Sequence, residues 1–224
     1  QILPGSADEF RLLTDAVGGK GYRQIDINLG CPFPMIAGKH KGAGMLLYPA
    51  QVAEVLAPIA GYPEIQFSLK MRLGWENASE CMVLVELLNA LRLSRIALNA
   101  RTGKQQYKGH PDLEAFQGFY ELCQHPLYYN GGIESLSDIR QILIRFPLLK
   151  GVFIGRGLLS SPLLAKEFKG NETFLPEQRM SIYFAFHEEL FSAYSQVLQG
   201  ETQLLVKMKT VWEYFLPATD RKLL

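Results

Sequence analysis

The chain has 224 residues, 48% hydrophobic and 20% charged, enough to bury a core of ordinary size in one large domain or one domain with an appendage. With 23 Lys+Arg against 22 Asp+Glu, the net charge of +1 excludes a general polycationic coat and an acidic tail, so a polyanionic partner has to meet a local patch. Cys31, Cys81 and Cys123 are odd in number and far apart, which excludes a disulfide framework, fits a reducing compartment and makes the cytoplasm the expected location.

Gln1-Ile2-Leu3 before Pro4-Gly5 reads as the end of a strand with nothing in front of it. Without an initiator Met, the chain is expected to be a piece of a longer protein. The opening QILPGSADEF lacks the character of a signal peptide, and no apolar run approaches the length of a membrane span. Helical periodicity follows over Ala7 to Val17, with Ser6 and Glu9 as a start signal. Strand candidates Gln24 to Leu29, Gln66 to Met71, Arg95 to Asn99, Leu127 to Asn130 and Gly151 to Gly155 then alternate with helix candidates Ala50 to Ile59, Ala78 to Leu91, Leu113 to Cys123 and Leu136 to Phe146. After Pro162 the pattern changes to two long amphipathic helices, Pro176 to Gln199 and Thr202 to Phe215, parted by Gly200.

Regular alternation with apolar strands predicts a parallel sheet covered by helices, either an open doubly wound sheet or an eight-stranded barrel. Polar residues gather past the ends of several strands: Asn28 to Cys31, Lys70 and Arg72, Asn99 to Thr102, Asn130 to Gly132, Gly155 to Gly157. Barrel enzymes keep their sites there. The dinucleotide fingerprint is absent, because Gly42-Ala43-Gly44 continues as Met45-Leu46-Leu47. The expectation is therefore a (β/α)8 TIM barrel over residues 1–167, followed by a helical domain over 168–224. On the ~250 residues of a typical barrel, two βα units of roughly 60 residues together should precede Gln1.

The strand-end motifs in order are Asn28-Leu29-Gly30-Cys31-Pro32, Gly42-Ala43-Gly44-Met45-Leu46-Leu47, Leu69-Lys70-Met71-Arg72-Leu73-Gly74, Ala100-Arg101-Thr102 with Tyr107 and Gly109, Asn130-Gly131-Gly132-Ile133, and Ile154-Gly155-Arg156-Gly157. Each is weak alone, but six in this order resemble the tRNA-dihydrouridine synthase family over nearly the whole barrel segment, and the helical tail suits that family. The resemblance implies an FMN-dependent barrel that reduces the C5=C6 bond of a uracil in tRNA with electrons from NADPH, and a helical domain that helps grip the RNA. The protein is expected to be a monomer with no membrane and no metal.

By position, Cys31 is then the general acid that protonates C5; a thiol of pKa ~8.5 is protonated at neutral pH yet acidic enough to donate. A simpler reading leaves Asn28 and Cys31 as corner-fillers of a turn made by Gly30 and Pro32. Gln1 and Lys70 are expected against the flavin, a cation at its pyrimidine edge favouring the anionic reduced form. Asn130, Gly131, Gly132, Gly155 and Arg156 are expected to hold the phosphate, since barrels bind phosphate after their last strands. Asn28, Asn99, Arg101 and Tyr107, with Gln105 beside them, would face the uracil and its neighbours.

The chain departs from the family pattern in three ways. Asn99 stands where the family has a histidine, Met35 stands where a lysine is expected with Lys39 and Lys41 near enough to substitute, and the first strand is missing. Other signatures fail: His187-Glu188-Glu189-Leu190-Phe191 lacks a second histidine, Gly103-Lys104 is no P-loop, and the four histidines make no metal set. Lys207, Lys209, Arg221 and Lys222 either touch phosphates or form a solvated face. Two other functions fit the same residues. One is an FMN barrel acting on a free pyrimidine or small enone; the other is a non-catalytic RNA-binding relative.

Overall fold

The computed structural model describes residues 1–215. Five runs of apolar and β-branched residues become parallel strands: β1 (Gln24–Leu29), β2 (Gln66–Gly74), β3 (Leu93–Thr102), β4 (Leu127–Asn130) and β5 (Gly151–Phe153). Their order in the sheet is their order in the chain. A doubly wound sheet reverses its strand order, whereas a barrel never does, so the winding is that of a (β/α) barrel. The strand expected at Gln1 to Leu3 shrinks to one parallel bridge: Ile2 N–H donates to the Asp26 carbonyl at 2.8 Å, and Asn28 N–H to that of Ile2 at 2.9 Å. Pro4, which has no N–H, ends it.

On β1, Ile25, Ile27 and Leu29 are buried while Asp26 and Asn28 take the opposite face, half-buried. Nearly all of β2 and β3 is buried, as expected of parallel strands covered on both sides. The connecting helices are α1 (Ala7–Gly19), α2 (Pro34–Ala37), α3 (Pro49–Leu56), α4 (Glu80–Asn89), α5 (Leu113–Leu122) and α6 (Leu136–Arg145). Ser6 caps α1, its hydroxyl accepting the Glu9 N–H at 3.2 Å, and Asp112 caps α5 by accepting that of Ala115 at 2.9 Å. Helix and sheet are joined by aromatic packing. Phe10 of α1 meets Phe67 at 5.3 Å, and Phe116 of α5 sits edge-on to Tyr129 at 4.9 Å and to Phe146 at 5.0 Å.

The chain divides into two compact units, one of Gln1–Gly132 with Ile142–Phe153, the other of Ile133–Gln141 with Ile154–Leu224. The second holds α7 (Arg156–Ser160), α8 (Leu164–Gly170), α9 (Pro176–Val197) and α10 (Glu201–Phe215). Gly200, at φ 101°, makes the bend between the two long helices. Tyr183 stacks on Phe215 at 5.6 Å, Trp212 meets Phe215 edge-on at 5.5 Å, and the buried Glu167 pairs with Arg179. Of the tail cations, Lys207 lies over the Tyr194 ring at 5.4 Å and Lys209 is exposed; Arg221 and Lys222 lie outside the described residues. No helix among the described residues is long and apolar enough to cross a membrane, and none of them form a group of His, Cys, Asp or Glu suited to a metal ion.

Candidate active site

The first unit gathers its polar side chains where the strands end. Parallel register sets Asn28 beside Lys70, Arg72 beside Asn99, and Asn99 beside Asn130. Lys70 and Arg72 are two residues apart, so strand alternation puts both on one face.

Cys31 follows β1 on a turn built by Asn28, whose Oδ1 accepts the N–H groups of Gly30 and Cys31, each at 2.9 Å. From the other side, the Ala43 N–H donates to the Cys31 carbonyl at 3.0 Å. Gly42 makes that approach possible. It holds φ 57°, and a Cβ there would lie 2.8 Å from the Cys31 carbonyl oxygen and 2.9 Å from the Cys31 Cβ. Gly42→Ala is therefore expected to cost about 1–3 kcal/mol, read by thermal unfolding, and to lower turnover by moving the thiol. Gly21→Ala is the control: φ is 89° but nothing lies within 4 Å, so it should lose stability alone. Equal loss of turnover in both would show that the contact with Cys31 is immaterial.

Lys70 Nζ donates to Asn130 Oδ1 at 3.4 Å, Asn99 Nδ2 donates to the same oxygen at 2.8 Å, and Asn130 Nδ2 donates to the Phe153 carbonyl at 2.7 Å. This leaves Asn99 Oδ1 buried without a hydrogen-bond partner. Burial pushes the Lys70 amine below its ordinary pKa, helped by repulsion from Arg72 and opposed by Asp26 and Cys31. Gln1, although exposed, is tied in: its Nε2 donates to Asp26 Oδ2 at 2.5 Å and its Oε1 accepts from Asn28 Nδ2 at 2.9 Å. Ser68 Oγ donates to the other Asp26 oxygen at 2.7 Å.

Arg101 is buried, and its Nε and Nη2 donate to the Gly109 carbonyl at 3.2 and 3.1 Å. Tyr107 is 49% exposed on the loop between them. Gly131 and Gly132 follow β4 with φ of 128° and 62°, the turn only glycine makes cheaply. Gly155 and the exposed Arg156 belong to the second unit, at the start of α7. The expected substitutes for Met35 divide: Lys41 is committed to Glu9 at 2.6 Å, while Lys39 is exposed. The other thiols are set apart, burial pushing Cys81 up to about 12 and raising Cys123 as well.

Arg72, which sequence reasoning left without a role, is 2% exposed and forks to three main-chain carbonyls. Its place one strand-period beyond Lys70 is the signal that marks it. Among the described residues neither Lys70 nor Arg72 forms an ion pair. Lys70, without a salt bridge and beside amides and a thiol, suits a planar ligand with anionic character, while Arg72 is taken up by main-chain carbonyls.

The family model for dihydrouridine synthase (Dus) matches residues 1–219. The chain belongs to the dihydrouridine synthase family. Among relatives, a probable tRNA-dihydrouridine synthase of Rhizobium leguminosarum bv. phaseoli is 32% identical over 139 residues, 62% of this chain and 44% of that protein. The tRNA-dihydrouridine synthase B of Vibrio parahaemolyticus is 28% identical over 148 residues, 66% of this chain and 46% of that protein. The chain thus spans about half the length of such relatives. Among solved structures, the old yellow enzyme from Trypanosoma cruzi superposes with a TM-score of 0.52 at 12% identity, covering 77% of this chain and 51% of that one. Morphinone reductase gives 0.51 at 14%, over 77% and 51%. Both share the fold of this chain's partial (β/α)8 barrel.

Proposed function

We propose that the full-length protein reduces uridine in tRNA to 5,6-dihydrouridine with FMN and NADPH, as a cytoplasmic monomer. The observation that carries this reading is the joint placement of a thiol, Cys31, just past β1 and a half-buried lysine, Lys70, without a salt-bridge partner among the described residues, on the adjacent parallel strand β2 in a chain of this family.

The residues fit the flavin. Lys70 has no salt-bridge partner among the described residues, Asn99 Oδ1 is an orphaned acceptor, and Gly131 and Gly132 turn the backbone at positive φ just past β4. Lys70 and Gln1 would hold the isoalloxazine, and Asn130 to Gly132 the phosphate; Gly155 and Arg156 are assigned to the phosphate on the sequence motif alone. The chemistry that FMN would supply when bound here is hydride transfer to C6 of the uracil. Cys31 gives its proton to C5, and Asn28 keeps the turn beneath it fixed. Asn28, Asn99, Arg101 and Tyr107 are assigned to the uracil and its neighbours, and the helices of 168–224 to the body of the RNA. A uracil must leave its stack to be reached, which requires a protein that holds the RNA's shape as well as the base.

The test is full-length protein with NADPH and an unmodified tRNA transcript, followed by nucleoside mass spectrometry. Dihydrouridine in the digest is the expected result. Reduction of free enones with untouched tRNA would replace the RNA substrate with a small one. A colourless protein that binds tRNA without turnover would overturn the catalytic reading.

A further inference from the structure

Arg72 sits between the two segments that carry the candidate proton donor and the exposed tyrosine. Its Nε donates to the Gly30 carbonyl at 3.0 Å, and its Nη1 to the carbonyls of Thr102 at 2.8 Å and Gln106 at 2.6 Å. The guanidinium lies 5.4 Å from the centre of the Tyr107 ring. A buried charge is costly to keep, and here it donates to neutral carbonyls of the Cys31 turn, the end of β3 and the Tyr107 loop, with the Tyr107 side chain beside it. Only a planar fork reaches such acceptors together; a lysine offers one nitrogen.

Both attachment points are places where the backbone needs holding. The peptide entering Cys31 is pinned at its two ends, the Cys31 N–H by Asn28 and the Gly30 carbonyl by Arg72. In the second loop Gln106 adopts φ 50°, a conformation most side chains avoid, and its carbonyl is the one Arg72 takes at the shortest distance. Arg101 holds the far limb through Gly109. We propose that Arg72 is the positioning residue of this site, joining the Cys31 turn and the Tyr107 loop through three main-chain carbonyls so that the two open and close as one unit. The proposal rests on the functional reading above only for its turnover measurement.

Arg72→Lys in the full-length flavoprotein tests it. Iodoacetamide labelling, followed peptide by peptide, should show the Cys31 rate changed ~10-fold or more, the size of effect one lost positioning hydrogen bond to a charged group produces, with buried Cys81 unlabelled as an internal reference. With tRNA transcript, kcat should fall ~10²-fold, the expected result of misplacing a reacting group, with KM nearly unchanged. A KM-only effect with wild-type labelling would make Arg72 a substrate contact, and a lowered Tm with both readouts unchanged would make it merely structural; either outcome overturns the proposal. Labelling needs no RNA, so it stands or falls apart from the substrate assignment. Hydrogen exchange on the unmutated protein guards against a variant that does not fold. Peptides covering Gly30–Cys31 and Gly103–Gln106 should open with matching protection, and a loop that opens ~10-fold more readily than the turn would refute the coupling.

Discussion

Cys31→Ala in the full-length protein is expected to keep the yellow colour of bound flavin while dihydrouridine formation falls by ~10²–10⁴-fold, the usual weight of a positioned acid. Hydride arrival at C6 leaves an enolate-like anion across C5 and its carbonyl, and the product forms only when C5 receives a proton. Water is a weaker acid than a thiol, and the backbone that carries the Cys31 thiol is held in place by Asn28 at its N–H and by Ala43 at its carbonyl. Cys31 is half-buried and free, so the substitution removes little packing, and thermal unfolding should barely move. Cys31→Ser should be nearly as slow as alanine, because a hydroxyl is a far weaker acid. Rapid turnover by either variant would remove the proton-donor role, whatever the fate of the flavin.

Lys70→Met should act in opposite directions on binding and stability. The amine is carried on a strand whose neighbours are apolar, and burial lowers its pKa first, with Arg72 adding to the effect and Asp26 and Cys31 opposing it. In the unfolded chain it returns to about 10.4. Between the lowered folded value and that figure the folded state binds fewer protons, so stability rises with pH across the window and carries the full burial cost below it. Methionine has no such cost. Flavin-free Lys70→Met protein should therefore unfold at a higher temperature than wild type at neutral pH, and the difference should shrink as pH climbs toward 10.4. At the same time flavin affinity should collapse, because Asn130 keeps Asn99 as a donor but the pyrimidine edge loses its cation. A variant that binds flavin normally would dismiss Lys70 from the cofactor site. One that is less stable at neutral pH would mean the amine is better compensated in the fold than its surroundings indicate.

Much of the fold was legible because parallel strands covered on both faces write themselves as unbroken apolar runs. Residues 24–29, 127–130 and the helix beginning at Leu113 fall where expected. The strands β2 and β3 run on to Gly74 and Thr102, past the expected ends at Met71 and Asn99, because Arg72 and Arg101 look like loop residues while their backbones stay in the strands. Polar side chains inside strands are what a site on strand ends requires, so propensity misleads there. The short α2 and the 3-10 turn of Gly42–Leu47 escaped for another reason: neither is long enough to show a period, and the turn is set by Gly42 and Gly44 approaching Cys31 and Ala37. Cys31, Lys70 and Asn130 could be picked out by motif. The use of Arg72 could not, since its partners are carbonyl groups, which every residue carries and no sequence advertises.

The most direct test is a single turnover. Full-length flavoprotein, reduced by NADPH and freed of excess nucleotide under anaerobic conditions, is mixed with unmodified tRNA transcript while the visible flavin band is followed. The band should return on mixing, with dihydrouridine formed in equal amount, and should return far more slowly in Cys31→Ala. A reduced flavin that ignores tRNA, or reoxidises without producing dihydrouridine, would contradict the account.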